Sequence, residues 1–78
     1  MSERDADYYM GLPWRVAIEP ELQEHGSLIY VASHPDFEGV FGTGVTPESA
    51  LADLQAARRS MIEALPADGY AIPEPVVV

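Results

Sequence analysis

One stretch of this chain carries a full set of helix signals, and everything before it is patterned as strand. Thr46 suits an N-cap, Pro47 fits the first helical position, and Glu48 meets the positive end of the helix dipole. Ala50, Leu51, Leu54, Ala57, Met61, Ala64 and Leu65 then recur at three- and four-residue steps, forming one apolar stripe. Asp53, Arg58, Arg59 and Glu63 fall largely outside it. Pro66 and Asp68-Gly69 provide the stop, so the spacing predicts a helix over about 47–65. A helix with a single apolar stripe must bury it against something else, and no second helix is signalled. The 78 residues suffice for one domain, and a chain of this size buries only roughly 60% of the surface its unfolded form exposes. With no cysteine, neither a disulfide nor a thiolate zinc site can reinforce that thin core.

The partner for the helix is a sheet. Residues 1–13 read as an N-terminal segment, followed by a single domain over 14–78. Trp14, Val16 and Ile18 alternate with Arg15, Ala17 and Glu19, the period-two pattern of a strand, and Pro20 is expected to end it. Residues 21–27 read as a hydrophilic hairpin loop with Gly26 near its exit. Leu28 to Ser33 is β-branched and aromatic with apolar residues on both faces, as a central strand requires. Gly39, Gly42 and Gly44 around Val40-Phe41 predict a short and bulged third strand. After the helix, Val76-Val77-Val78 can form a short edge strand whose entrance is guarded by Pro73 and Pro75. The expectation is a two-layer α+β domain of order β-β-β-α-β. Its small mixed sheet packs on one amphipathic helix, and the last strand lies parallel to a neighbour, most simply the first.

Charge narrows the function. Four arginines and no lysine stand against thirteen acidic residues, a formal net charge of −9. Phosphate binding is driven by cations that release counterions, so this chain is not expected to bind nucleic acid directly. An acidic surface instead attracts basic partners and speeds their encounter at low salt. No apolar stretch is long enough to span a membrane and no signal peptide precedes the domain, which points to a cytoplasmic protein.

Catalytic patterns are not legible. The glycines of Gly39-Val40-Phe41-Gly42-Thr43-Gly44 are too closely spaced for a P-loop or a dinucleotide fingerprint. His25 and His34 fall in two predicted loops without a neighbouring ligand cluster and read as solvated histidines. Carboxylates are numerous but scattered, whereas a two-metal nuclease needs them converging from rigid elements. The sequence therefore predicts no catalytic residue, no cofactor and no metal site. Tyr8, Tyr9, Trp14, Tyr30 and Phe37 are expected in the core or an oligomer interface rather than in a base-stacking platform.

Four segments, in order and well spaced from Tyr8 to Pro75, resemble the HicB family of antitoxins. Tyr8-Tyr9-Met10-Gly11-Leu12-Pro13-Trp14 with Ile18-Glu19-Pro20 is similar to the family's N-terminal segment. His34-Pro35-Asp36-Phe37-Glu38-Gly39 is similar to its proline–acidic–apolar–Pro-Gly run, with Glu38 in place of the second proline. Gly44-Val45-Thr46-Pro47-Glu48-Ser49-Ala50-Leu51 resembles the signature Gly-Asp-Thr-x-Glu-Glu-Ala-Leu. Val45 stands there for Asp, and Ser49 for a Glu that would complete a capping box with Thr46. Gly69-Tyr70-Ala71-Ile72-Pro73-Glu74-Pro75 resembles the Gly…Ile-Pro-Glu-Pro ending.

The resemblance implies a partial ribonuclease-H-like fold without nuclease residues. It also implies the role of neutralising a small basic HicA-type toxin, an mRNA interferase with a double-stranded-RNA-binding-like fold and a catalytic histidine. Many family members continue into a DNA-binding domain; none follows here, so autoregulation by this chain alone is not expected. Glu21, Glu24, Asp36 and Glu38 are the acidic loop residues expected to contact the partner. The alternative is an orphan domain without a toxin. Homo-oligomerisation is expected under either reading, since thin-cored chains gain stability by pairing.

Overall fold

A computed structural model describes residues 5–75. It is a small α+β fold with the element order α1 (Ala6–Met10), β1 (Ala17–Leu22), β2 (Leu28–Ser33), β3 (Phe41–Gly44) and α2 (Pro47–Ala67). The three strands form one antiparallel sheet in the order β1-β2-β3. The expected valine strand at 76–78 lies outside the described residues, and Ala71 to Pro75 form no regular element.

Several local expectations are corrected. Residues 6–10 are helical, because Asp5 accepts the Tyr8 amide at 2.9 Å and so caps a short turn. The first strand begins later than its alternation suggests and runs through Pro20, which pairs with Tyr30. Among the described residues β1 is an edge strand, and an edge tolerates a residue without an N–H. The hairpin loop is correspondingly shorter, closed by the Gln23 amide on the Ser27 carbonyl at 2.8 Å, with Gly26 at a φ of +90°.

The glycines of β3 make no bulge. Tyr30↔Gly44, Val31↔Thr43, Ala32↔Gly42 and Ser33↔Phe41 pair in unbroken register. Their role is close approach. A Cβ added at Gly42 would lie 2.7 Å from the Ala50 carbonyl oxygen and nearer still to the Leu54 nitrogen. At Gly44 it would meet the Ala50 nitrogen at 2.6 Å. Helix α2 thus lies with its backbone against the bare backbone of β3.

Helix α2 starts at the predicted residue, and its capping box is complete after all. Ser49 donates its amide to Thr46 Oγ1 at 3.0 Å, and its own Oγ accepts the Thr46 amide at 3.1 Å, doing with a hydroxyl what a glutamate does elsewhere. The helix also outruns its predicted end by two residues, taking in Pro66. That proline has no N–H to give, and the turn is closed by Gly69 donating to Pro66 and Tyr70 to Leu65, a Schellman arrangement with Gly69 at a φ of +85°. The buried line of α2 is Ala50, Leu54, Arg58 and Ile62, each four residues from the next, while Ala64 is exposed. With Trp14, Ala32, Phe37 and Val40 the apolar members of this line form the core. Trp14 stacks on Phe37, with ring centroids 5.2 Å apart, and donates its indole N–H to the Tyr9 carbonyl at 2.7 Å.

Candidate functional site

The alternation of side chains along the sheet separates its residues into two faces. Ile18, Pro20, Tyr30, Ala32, Gly42 and Gly44 share the face that meets α2. The opposite face carries three rows in register: Ala17, Ser33 and Phe41; Glu19, Val31 and Thr43; Glu21 and Ile29. No described element packs on that second face. Phe41 is 59% exposed, Ile29 and Val31 are half-buried by their strand neighbours, and Glu19 and Glu21 are exposed along the β1 edge. The β3 edge is closed to further strand pairing at Thr43, whose amide donates to Asp53 Oδ2 at 2.9 Å.

The four acidic residues singled out from the sequence do not form one patch. Glu21 ends up inside β1, where Gln23 Nε2 donates to it at 3.3 Å, and Glu24 sits in the adjoining turn. Asp36 and Glu38 follow β2 at the other end of the sheet, a strand length of roughly 17 Å away. Asp36 is held by Arg15 in a bidentate pair, Nε at 3.0 Å and Nη2 at 2.5 Å, and its side chain is 5% exposed. The carboxylate raises the Arg15 pKa through that hydrogen bond and its charge. Glu38 remains exposed beside an open cleft of about 340 Å³ between its loop and the Met61–Leu65 turn of α2.

His34 is the largest departure from the sequence reading. It is not a solvated loop residue: it is 3% exposed and packs against Trp14 with ring centroids 5.6 Å apart. Arg58, expected on the outer side of the helix, is 8% exposed and donates from Nη1 to His34 Nε2 at 2.8 Å. A guanidinium can only donate, so Nε2 must offer its lone pair. The ring proton therefore sits on Nδ1 and is donated to the Arg15 carbonyl at 2.6 Å. Burial pushes the His34 pKa below its ordinary value, and the Arg58 charge adds to that, while the Arg15 carbonyl and Asp36 pull the other way. Burial also lowers the Arg58 pKa, and its Nε has no hydrogen-bond partner. A neutral histidine solvating a buried cation is a packing device that locks the loop after β2 to α2. Its signal in the sequence was the four-residue step from Leu54 through Arg58 to Ile62, which hydropathy conceals.

The described arginines are thus all committed within the fold. Arg15 binds Asp36, Arg59 binds Asp7 at 3.0 Å and Glu63 at 3.5 Å, and Arg58 is buried on His34. Glu19, Glu24, Glu38 and Glu48 are left exposed, so the outward charge is acidic. Among the described residues no three histidines or carboxylates converge to hold a metal, and no helix is long and apolar enough to cross a membrane. Comparison with protein-family models, curated proteins and solved structures finds no match to this chain.

Proposed function

We propose that this chain is a HicB-like antitoxin. It binds a small basic HicA-type mRNA interferase and neutralises it by covering the surface that takes RNA. The observation that carries this reading is the uncompensated acidity of the surface: the described cations are spent on internal contacts, leaving exposed glutamates to meet a basic partner. An RNA-cleaving protein needs a positive groove for phosphates, and carboxylates occupy such a groove by standing in for them.

Two of the four family-like segments support the same reading, because each supplies something this fold needs. Gly44 to Leu51 spans the close approach of β3 to α2, the N-cap and the first helical turns. His34 to Gly39 forms the loop that delivers His34 and Phe37 to the core. A partial ribonuclease-H-like fold is part of this proposal.

The direct test mixes the purified chain with a HicA-type toxin and follows RNA cleavage. Stoichiometric loss of cleavage is expected, with an association rate that falls as salt rises. Cleavage that persists at excess chain refutes the antitoxin reading. Leu22, Leu28 and Val45 are exposed apolar side chains of a size that subunit contacts cover, which fits the homo-oligomer expected of the antitoxin and of the orphan alternative alike. Sedimentation equilibrium with and without the toxin separates the two: a homo-oligomer whose mass the toxin leaves unchanged fits the orphan, and a heavier toxin-bound complex fits the antitoxin.

A further inference from the structure

The sheet face turned away from α2 has an order that its residue types alone do not announce. Ile29 and Val31 lie in line on the central strand, Phe41 stands on β3 opposite Ser33 and diagonal to Val31, and Glu19 and Glu21 run along β1. We propose that this face is a docking surface for a basic amphipathic helix of a partner protein, its apolar side covering Ile29, Val31 and Phe41 and its cations pairing with Glu19 and Glu21. The inference rests on the reading that the chain captures a basic protein, and it says where.

Three observations select this occupant. The first is charge. The strand positions of this face include two carboxylates and no cation, so a second copy packed face to face would bring no cation to Glu19 and Glu21, whereas a basic partner is attracted. The second is area. Six-residue strands at ordinary spacing give a face of roughly 20 by 15 Å, far below the ~800 Å² per partner that a stable dimer buries. Apolar contact alone is insufficient there, and opposite charge must contribute.

The third is spacing. Residues two apart on a strand are roughly 7 Å apart, close to the ~6 Å rise between positions i and i+4 of a helix. A helix laid along the strands therefore meets Glu19 and Glu21 with successive cations of one flank, and Ile29 and Val31 with successive apolar residues. Strand addition is the less available mode, since Pro20 interrupts one edge and Asp53 occupies the Thr43 amide on the other.

The test titrates the isotope-labelled chain with a synthetic 14-residue helical peptide of leucine and lysine at heptad spacing, followed by backbone amide shifts. The expected shifts fall on β1, β2 and the start of β3, including Glu19, Val31 and Phe41. The double substitution Glu19→Lys with Glu21→Lys should weaken binding about tenfold or more, the loss expected when close charge pairs are reversed. Glu38→Lys with Glu48→Lys changes the net charge equally and should leave most of the affinity. Phe41→Ser, at an exposed position that does not endanger folding, should weaken the peptide while keeping its salt dependence.

Equal weakening by both charge-reversed pairs overturns the proposal, as do shifts centred elsewhere or no binding at all. Concentration-dependent self-association mapped to the same amides also overturns it and assigns the face to a second copy. Failure of this inference is distinct from failure of the antitoxin reading. A toxin that the unmodified and the Glu19→Lys/Glu21→Lys chains capture equally well sinks only the docking surface. A toxin that neither chain captures sinks the antitoxin reading, and the peptide titration still judges the face.

Discussion

Substituting Gly42 by alanine isolates the contact on which the two layers depend. The new methyl carbon would lie 2.7 Å from both the Ala50 oxygen and the Asp53 carbonyl carbon, and closer still to the Leu54 nitrogen. All three are helix backbone, so no side chain can swing aside. Restoring an ordinary contact of 3.4 Å requires α2 to withdraw by roughly 1 Å, which forfeits a quarter to a half of the dispersion attraction across the gap. Ala50, Leu54 and Ile62 are the helix's fully buried apolar residues, and all three would lose contact together.

Overpacking costs about 1–3 kcal/mol when side chains can adjust, and a backbone clash places Gly42→Ala near about 3 kcal/mol. At roughly 0.05–0.15 kcal/mol per residue the whole domain is stable by only about 4–12 kcal/mol, so the loss is a large fraction of the total. Urea unfolding followed by fluorescence of Trp14, the single tryptophan and a core residue, reads this directly. With a slope of about 1 kcal/mol per molar for so small a protein, the midpoint should fall by about 3 M. Gly11→Ala is the control, since its Cβ meets nothing nearer than 3.6 Å and should shift stability by under about 1 kcal/mol. A Gly42→Ala protein within about 0.5 kcal/mol of the parent would show that the layers are not held at backbone contact.

Three further outcomes follow from the buried pair and the helix cap. Because the folded His34 pKa lies below its unfolded value of about 6.5, the native state binds fewer protons than the unfolded one. The His34 contribution is therefore complete above pH 6.5 and is lost as pH falls from there through the folded pKa. The slope is at most about 1.4 kcal/mol per pH unit, and urea midpoints between pH 7 and 5 should show it in the parent but not in a His34→Gln variant. Arg58→Met removes a cation that depresses the histidine, so the His34 titration followed by NMR should move to higher pH. An unchanged or lower midpoint would contradict the pairing. Thr46→Ala should cost about 0.5–2 kcal/mol of thermal or urea stability by opening the capping box, whereas Ser49→Glu should bring less than about 0.5 kcal/mol, because the serine already closes that box.

Local chemistry is what the linear sequence determined. The N-cap at Thr46, the entry at Pro47 and the stop near Gly69 are decided by residues within one turn of each other, so α2 was legible almost to its ends. The same holds for β2, whose β-branched and aromatic run needs no partner to be recognised. The tertiary structure alone decided what depends on distant chain segments. Pro20 stays in a strand because β1 is an edge among the described strands, and Gly42 and Gly44 serve a helix that begins only after them. Arg58 and His34 are buried because each is the other's hydrogen-bond partner across 24 residues, and hydropathy assigns both to solvent. The acidity of the chain was visible as a total, but its arrangement was not. Which glutamates face outward beside an apolar stripe, and which carboxylates are consumed by arginines, is settled by strand register and by the pairing of residues that only the fold brings together.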